Sequence, residues 1–483
     1  MPVNKFGVSS IAAAAIISSS IKSTINKIDG IPLGAFPENH YGTFEFISDP
    51  NPTDQVVPDS DAGDYVFVVE SSGGLGASDP DSKIHVYDAA SNSSAPTGFS
   101  WSPPSSDVPD FKEANEIMIN GNDMFIAYRF QNPDQSNADP SKLVKFNNFS
   151  VDFSGSTITY DSVEIADLGT KGCHAITRDD TYGYANYRSD ITVTDFSFEP
   201  PLTKFNLSGP LTVENGIPVD GGLTVNSTRQ EWFGNLYDGT FDYFDGPDQL
   251  GANDLVCQGD YLYYPTYAMA LNPNQIFSDS TRKYVISICR SPVSNLLAPP
   301  EVLYCLDPST TGSPGQNLNF TMMVCNGDYL YGIFSRATSR ISLFSVNLTD
   351  PRINSLNVIG STVGSSTNSG DNSGEAHNIE LFGDKLIVTC QGSSFVGVYY
   401  QSDLSEVGHV FVGELDSSVI GVGITDDLAV YGNYAYLPFE GINAGTGNKL
   451  YSLDLTNIST SGLTLVDTYT NAPYGATNSS MVV

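Results

Sequence analysis

Seven times along the chain an apolar stretch runs into a Gly/Asp-type turn and leaves through an alternating, aromatic-rich strand. The seven instances are residues 62–68, 120–126, 179–184, 258–263, 326–331, 382–387 and 431–436. A Gly-Asp pair between two such runs predicts a tight hairpin, because glycine reaches positive φ at little steric cost. A third strand is expected after each hairpin, at 83–88, 142–146, 191–194, 284–288, 341–346, 395–399 and 449–454. A fourth, weaker one follows at 356–359, 408–412 and 463–466. The pattern predicts an all-β chain of seven units, each a four-stranded antiparallel sheet.

Four antiparallel strands repeated seven times is the arrangement of a β-propeller. From residue 41 to 475 the chain resembles the seven-bladed β-propeller superfamily. It does not resemble the WD-repeat branch, since no Gly-His…Trp-Asp pairing recurs, and the sialidase Asp-box is absent. The resemblance implies a fold and no particular activity. The widest interval between turns, 180–259, predicts an insertion between blades 3 and 4 that carries Trp232, Tyr237 and Tyr243. Exposed aromatic residues there suit contact with a protein or a cell-surface glycan or receptor. Residues 476–483 are expected as a C-terminal tail.

Residues 1–40 follow a different rule. Ile17, Ile21, Ile25 and Ile28 recur at helical spacing, so a helical or extended tail with an isoleucine stripe is expected to anchor the chain to a partner, an assembly or further copies of itself. The uncharged run from Phe6 to Ile21 is interrupted by serines and is too short to cross a bilayer. A cleaved leader is the alternative reading, which would make the protein a secreted adhesion or scaffold protein.

Six residues before each turn, on the expected innermost strand, stand Val57, Asn115, His174, Asn253, Thr321, His377 and Asp426. All but Val57 are polar, although each strand continues apolar through residues such as Ile117, Leu255 and Ile379. Glu116, Asp254, Glu375 and Asp427 lie beside them. Equivalent inner-strand positions converge on a propeller's axis, so Asn115, His174, Asn253, Thr321, His377 and Asp426 are the candidate ligand-binding ring at the channel mouth. The competing reading is that such residues tie neighbouring blades through buried hydrogen bonds.

Composition narrows the function classes. The chain of 483 residues holds 21 Lys+Arg against 55 Asp+Glu, a formal net charge of -34. That excludes the basic footprint of a nucleic-acid binder or a polybasic membrane contact. Asp238, Asp242, Asp245 and Asp248, and the run Asp59-Ser60-Asp61-Ala62-Gly63-Asp64, offer hard oxygens for calcium, but aspartates in turns usually cap the turn itself. Zinc is disfavoured, because His174 and His377 stand three blades apart. No other cofactor is expected. Cys289 and Cys305, on adjacent strands of one blade, form the only expected disulfide. No Gly-x-Ser-x-Gly elbow, P-loop or Rossmann glycine motif occurs. Low Lys with abundant Ser, Thr, Asn and Gly resembles virus and phage appendage proteins. The leading expectation is therefore a non-enzymatic binding protein, a virion spike or receptor-attachment protein on a virion or extracellular surface. The alternative is a lactonase- or hydrolase-type propeller enzyme using the polar ring.

Overall fold

Two-residue turns organise the chain locally. Asn120 pairs with Asp123, Gln258 with Tyr261, Asn326 with Tyr329, Phe382 with Lys385 and Tyr431 with Tyr434, each across a Gly-Asp or Gly-Asn loop. The glycines Gly121, Gly259, Gly327, Gly383 and Gly432 have φ between 56° and 61°, while the residue after each keeps negative φ. That is the type II′ hairpin turn, whose twist matches the flanking strands. Blade 3 has no glycine at its turn and solves the problem differently. The Asp179 carboxylate accepts the backbone N–H groups of Thr181 and Tyr182, both at 2.6 Å, and so closes the loop with a side chain.

The computed structural model describes residues 65–70, 81–90, 92–129, 141–168, 173–187, 189–190, 202–217, 243–244, 249–250, 254–271, 283–296, 301–305, 321–336, 340–349, 357–363, 376–390, 395–412, 428–439, 448–469 and 481–482. The chain divides into two units, Met1–Thr53 and Asp54–Val483; every strand described lies in the second. Among the described residues no helix is long and apolar enough to cross a membrane.

The second unit is a propeller ring of seven antiparallel blades. From the axis outwards, blade 2 consists of Glu116–Asn120, Asp123–Tyr128, Lys142–Asn147 and Ser162–Asp167, and blade 3 of Cys173–Arg178, Tyr182–Tyr187, Leu202–Asn206 and Val213–Ile217. Blade 4 is Val256–Gln258, Tyr261–Leu271, Lys283–Pro292 and Glu301–Cys305; blade 5 is Thr321–Asn326, Tyr329–Arg336, Arg340–Asn347 and Asn357–Val363. Blade 6 is Ala376–Phe382, Lys385–Cys390, Phe395–Tyr400 and Glu406–Phe411, and blade 7 is Ala429–Tyr431, Tyr434–Phe439, Asn448–Asp454 and Leu463–Tyr469. Blade 1 takes Tyr65–Glu70, Lys83–Asp88 and Gly98–Trp101 from the front of the chain and its innermost strand, Met481–Val482, from the end.

Seven apolar clusters fill the seven seams between blades. Within a strand, alternate side chains go to opposite seams: Phe67 and Val69 pack with Ile117 and Ile126 of blade 2, whereas Val66 and Val68 pack with Tyr436 and Leu450 of blade 7. Likewise Ile333 and Leu343 meet Ile379 and Val388 of blade 6, while Leu330 and Phe344 meet Tyr263 and Ile288 of blade 4. Both faces of a blade are thus buried. This is why central strands such as Val66–Val69 read as unbroken apolar runs.

Several expectations are corrected. The apolar stretch before Gly63 was expected as the inner strand of blade 1, but the inner edge of Tyr65–Glu70 pairs through Phe67 and Val68 with Val482 and Met481. Part of the expected C-terminal tail is therefore a strand of the ring. The third strand of blade 3 is Leu202–Asn206; residues 191–194 lie outside the described residues. Cys289 is buried. A register shift pairs Cys289 with Val302 and Cys305 with Ser287, so the two cysteines are not opposite one another. From the insertion between blades 3 and 4, Tyr243–Phe244 extends blade 4 by pairing with Leu271 and Ala270. The expected N-terminal tail, Ile17, Ile21, Ile25 and Ile28 included, lies outside the described residues.

Candidate functional site at the channel mouth

The inner strands of consecutive blades contact one another from Met481–Val482 through each in turn to Ala429–Tyr431. All run in the same direction along the axis, since each pairs antiparallel with the second strand of its own blade. Positions at their starts therefore share one end of the channel.

His174 and His377 are each the unpaired extra residue of a β-bulge. In blade 3 the pairing jumps from Cys173↔Tyr187 to Ala175↔Asn186, and in blade 6 from Ala376↔Cys390 to Asn378↔Thr389. A bulge leaves one residue outside the ladder and re-aims the strand locally, which is why bulges recur beside functional sites. Thr321 instead sits in regular pairing opposite Phe334. Asn253 and Asp426 lie outside the described residues.

Asn115 is buried and serves the ring itself. Its backbone N–H donates to the Ala127 carbonyl at 2.9 Å, and its side-chain amide donates to the Cys173 carbonyl on the inner strand of blade 3. Asp254 does the same work two seams further on. One carboxylate oxygen accepts the Leu255 N–H at 2.7 Å, the other accepts the Met323 N–H of blade 5, and its backbone carbonyl accepts the Asn186 amide of blade 3 at 3.0 Å. Buried polar groups on the inner strands thus stitch blade to blade, as their desolvation demands.

Two residues that the sequence reading passed over sit directly across from the bulges. Asn186 and Thr389 occupy the same register of the second strand in blades 3 and 6, and both are buried. Asn186 Oδ1 and Thr389 Oγ1 have no hydrogen-bond partner, an arrangement that costs about 1–3 kcal/mol per group. The signal was present in the alignment. The equivalent positions elsewhere are Val69, Ala127, Pro265, Ile333 and Pro438, all unable to donate or accept through a side chain.

The described thiols of the inner strands are kept protonated by burial. Burial pushes the Cys173 and Cys325 thiols well up, and burial followed by the charges of Asp179 and Asp180 pushes Cys257 up to about 12. None is a thiolate at neutral pH. Among the described residues no three His, Cys, Asp or Glu side chains converge to hold a metal ion. Asp238, Asp242, Asp245 and Asp248 lie outside the described residues, as do residues 59–64, Trp232 and Tyr237; Tyr243 is placed by its backbone, in the added strand of blade 4.

No protein-family model and no curated protein matches the chain. Solved structures match it in fold. A periplasmic gluconolactonase of Pseudomonas aeruginosa is 11% identical with a TM-score of 0.49, over 87% of this chain and 99% of that one. A candidate 6-phosphogluconolactonase of Bacteroides fragilis is 12% identical with a TM-score of 0.46, over 90% and 99%. A chain of a nidogen/laminin complex is 11% identical with a TM-score of 0.35, over 71% and 95%. These similarities extend to the fold alone. The expectation of a virion spike or receptor-attachment protein is not upheld: the matching structures named above are two gluconolactonase-type proteins and a nidogen/laminin complex, none of them a virus or phage appendage protein.

Proposed function

We propose that the chain is a propeller enzyme of lactonase or hydrolase type, with its active site at the channel mouth. The observation that carries this reading is the pair of matched β-bulges at His174 and His377, each opposite a buried polar residue whose acceptor is unsatisfied. Asn115 and Asp254 tie blades at the same end of the channel through their side chains, and so does the Asn186 amide, but at Asn186 and Thr389 one side-chain oxygen is left over. A histidine released from the ladder at neutral pH is suited to take a proton from water or to return one to a leaving alkoxide. Two histidines on equivalent strand positions can divide those roles around a small ester or lactone.

The test is acid release from a panel of sugar-derived and aliphatic lactones, followed with a pH indicator. The wild-type chain is expected to hydrolyse at least one, and His174→Ala/His377→Ala to lower its kcat/KM by about 10²-fold or more. Circular dichroism and the melting temperature of the double variant report whether the ring is intact. A wild-type chain inert toward every lactone and ester, or a folded double variant at full activity, overturns the reading.

A further inference from the structure

Blade 1 holds a second constellation, away from the channel strands. Glu70, His85 and Ser100 stand on three successive strands, with His85 directly opposite Val68 on one side and Ser100 on the other. Alternate residues of a strand share a face, so Glu70, two beyond Val68, is the diagonal neighbour of His85. Glu70 Oε2 lies 3.0 Å from His85 Nε2, and Ser100 Oγ lies 2.8 Å from His85 Nδ1. The His85 and Glu70 side chains are 3% and 7% exposed, whereas Ser100 is exposed to solvent. Glu70 Oε1 is buried without a partner.

The hydrogen-bond roles follow from the donor inventory. A carboxylate only accepts, so in the neutral imidazole the tautomer that bonds Glu70 puts the proton on Nε2 and leaves the Nδ1 lone pair facing Ser100. The Ser100 hydroxyl then donates to Nδ1. An exposed hydroxyl is thus held against an imidazole whose tautomer is set by a buried carboxylate, which is the arrangement of an activated nucleophile. A serine placed only to satisfy a buried histidine would not require a carboxylate with an orphaned oxygen behind it.

We propose that Ser100 is an acyl-accepting nucleophile, with His85 its general base and Glu70 the group that orients and charge-stabilises His85. In the first step Ser100 Oγ bonds to the carbonyl carbon of an ester and its proton passes to His85 Nδ1. The ester C–O bond breaks, and the alkoxide leaves as the alcohol with that proton. Water then attacks the acyl-serine, gives its proton to Nδ1, and Ser100 recovers it as the carboxylic acid departs. The net change is ester plus water to acid plus alcohol. With a net charge of -34 the chain repels anions, so the substrate class is small uncharged or cationic esters.

The experiment treats the full chain with p-nitrophenyl acetate and, separately, with a fluorophosphonate probe, and maps the adduct by peptide mass spectrometry. A single acetyl or phosphonyl group on Ser100 is expected, absent in Ser100→Ala. Glu70→Gln keeps the shape and a hydrogen bond but removes the charge, and is expected to slow labelling at least tenfold. Labelling is read on the serine itself, so the result is independent of turnover at the channel mouth. No adduct on Ser100, or an unchanged labelling rate in folded Glu70→Gln, overturns the proposal.

Discussion

Lys142 and Lys145 stand three residues apart in the third strand of blade 2 and do opposite things. The Lys145 side chain is 1% exposed, and its ammonium donates to Asp123 Oδ2 at 2.9 Å and to the carbonyls of Leu207 and Gly209 at 3.0 and 3.1 Å. It therefore ties blade 2 to the loop that follows the third strand of blade 3. Lys142 pairs with Asp167 at 2.5 Å, but the two side chains are 26% and 58% exposed. Lys145→Met keeps an unbranched apolar side chain and deletes the ammonium, whose Nζ also lies 5.5 Å from the centroid of the Phe125 ring. Two loop carbonyls and a carboxylate that is 21% exposed then lose their donor. Breaking one partner out of a buried pair costs about 3–5 kcal/mol, whereas an exposed pair contributes about 0–1 kcal/mol. At about 1 °C per kcal/mol for a chain of this size, Lys145→Met is expected to melt about 3–5 °C lower and Lys142→Met within about 1 °C of wild type. Hydrogen exchange should show the loop at Leu207–Gly209 opening in the first variant and unchanged in the second. Equal, small shifts for the two would refute the reasoning, because they would mean that the Lys145 ammonium is solvated rather than buried between blades.

Two further outcomes follow from local structure. Gly327→Ala meets no atom within 4 Å of the new Cβ, yet φ is +56°, so a loss of about 1–2 kcal/mol is expected from backbone strain alone. Gly332→Ala, at ordinary φ, would place Cβ 2.3 Å from Phe344 Cζ and should cost more by overpacking; denaturant midpoints compare the two. At high pH, burial pushes the Tyr128, Tyr331 and Tyr436 phenols up to about 12, so the folded chain holds protons that the unfolded chain releases near pH 10. Stability is then full below pH 10 and falls as pH rises toward 12, by on the order of 1 kcal/mol per pH unit for each tyrosine. Tyrosinate absorbance should rise in one step together with loss of circular dichroism; a gradual titration near pH 10 with the fold intact would contradict it.

The turns of blades 2 to 7 and most second and third strands were legible because they are local. A two-residue loop requires glycine at positive φ, and where blade 3 lacks it an aspartate two or three residues upstream closes the same turn. The candidate polar positions could be singled out for the same reason, since a fixed offset from each turn picks out one register. What that register meant was not legible. Asn115 looks like His174 and His377 in the alignment, but it stitches two blades, while the histidines stand at bulges. A bulge is a mismatch between two strands and leaves no mark on one of them. The Cys289–Cys305 expectation failed on a similar slip in pairing register.

Alternation and turn chemistry, acting over a few residues, determined the all-β character, the seven-fold repeat and the placement of candidate polar positions. Ring closure by Met481–Val482, the assignment of alternate side chains to the two seams of each blade, and the meeting of Glu70, His85 and Ser100 were decided only by tertiary structure. Each depends on which distant strands pair and in what register, and that choice is made by burying seven seams at once rather than by any one segment's preference.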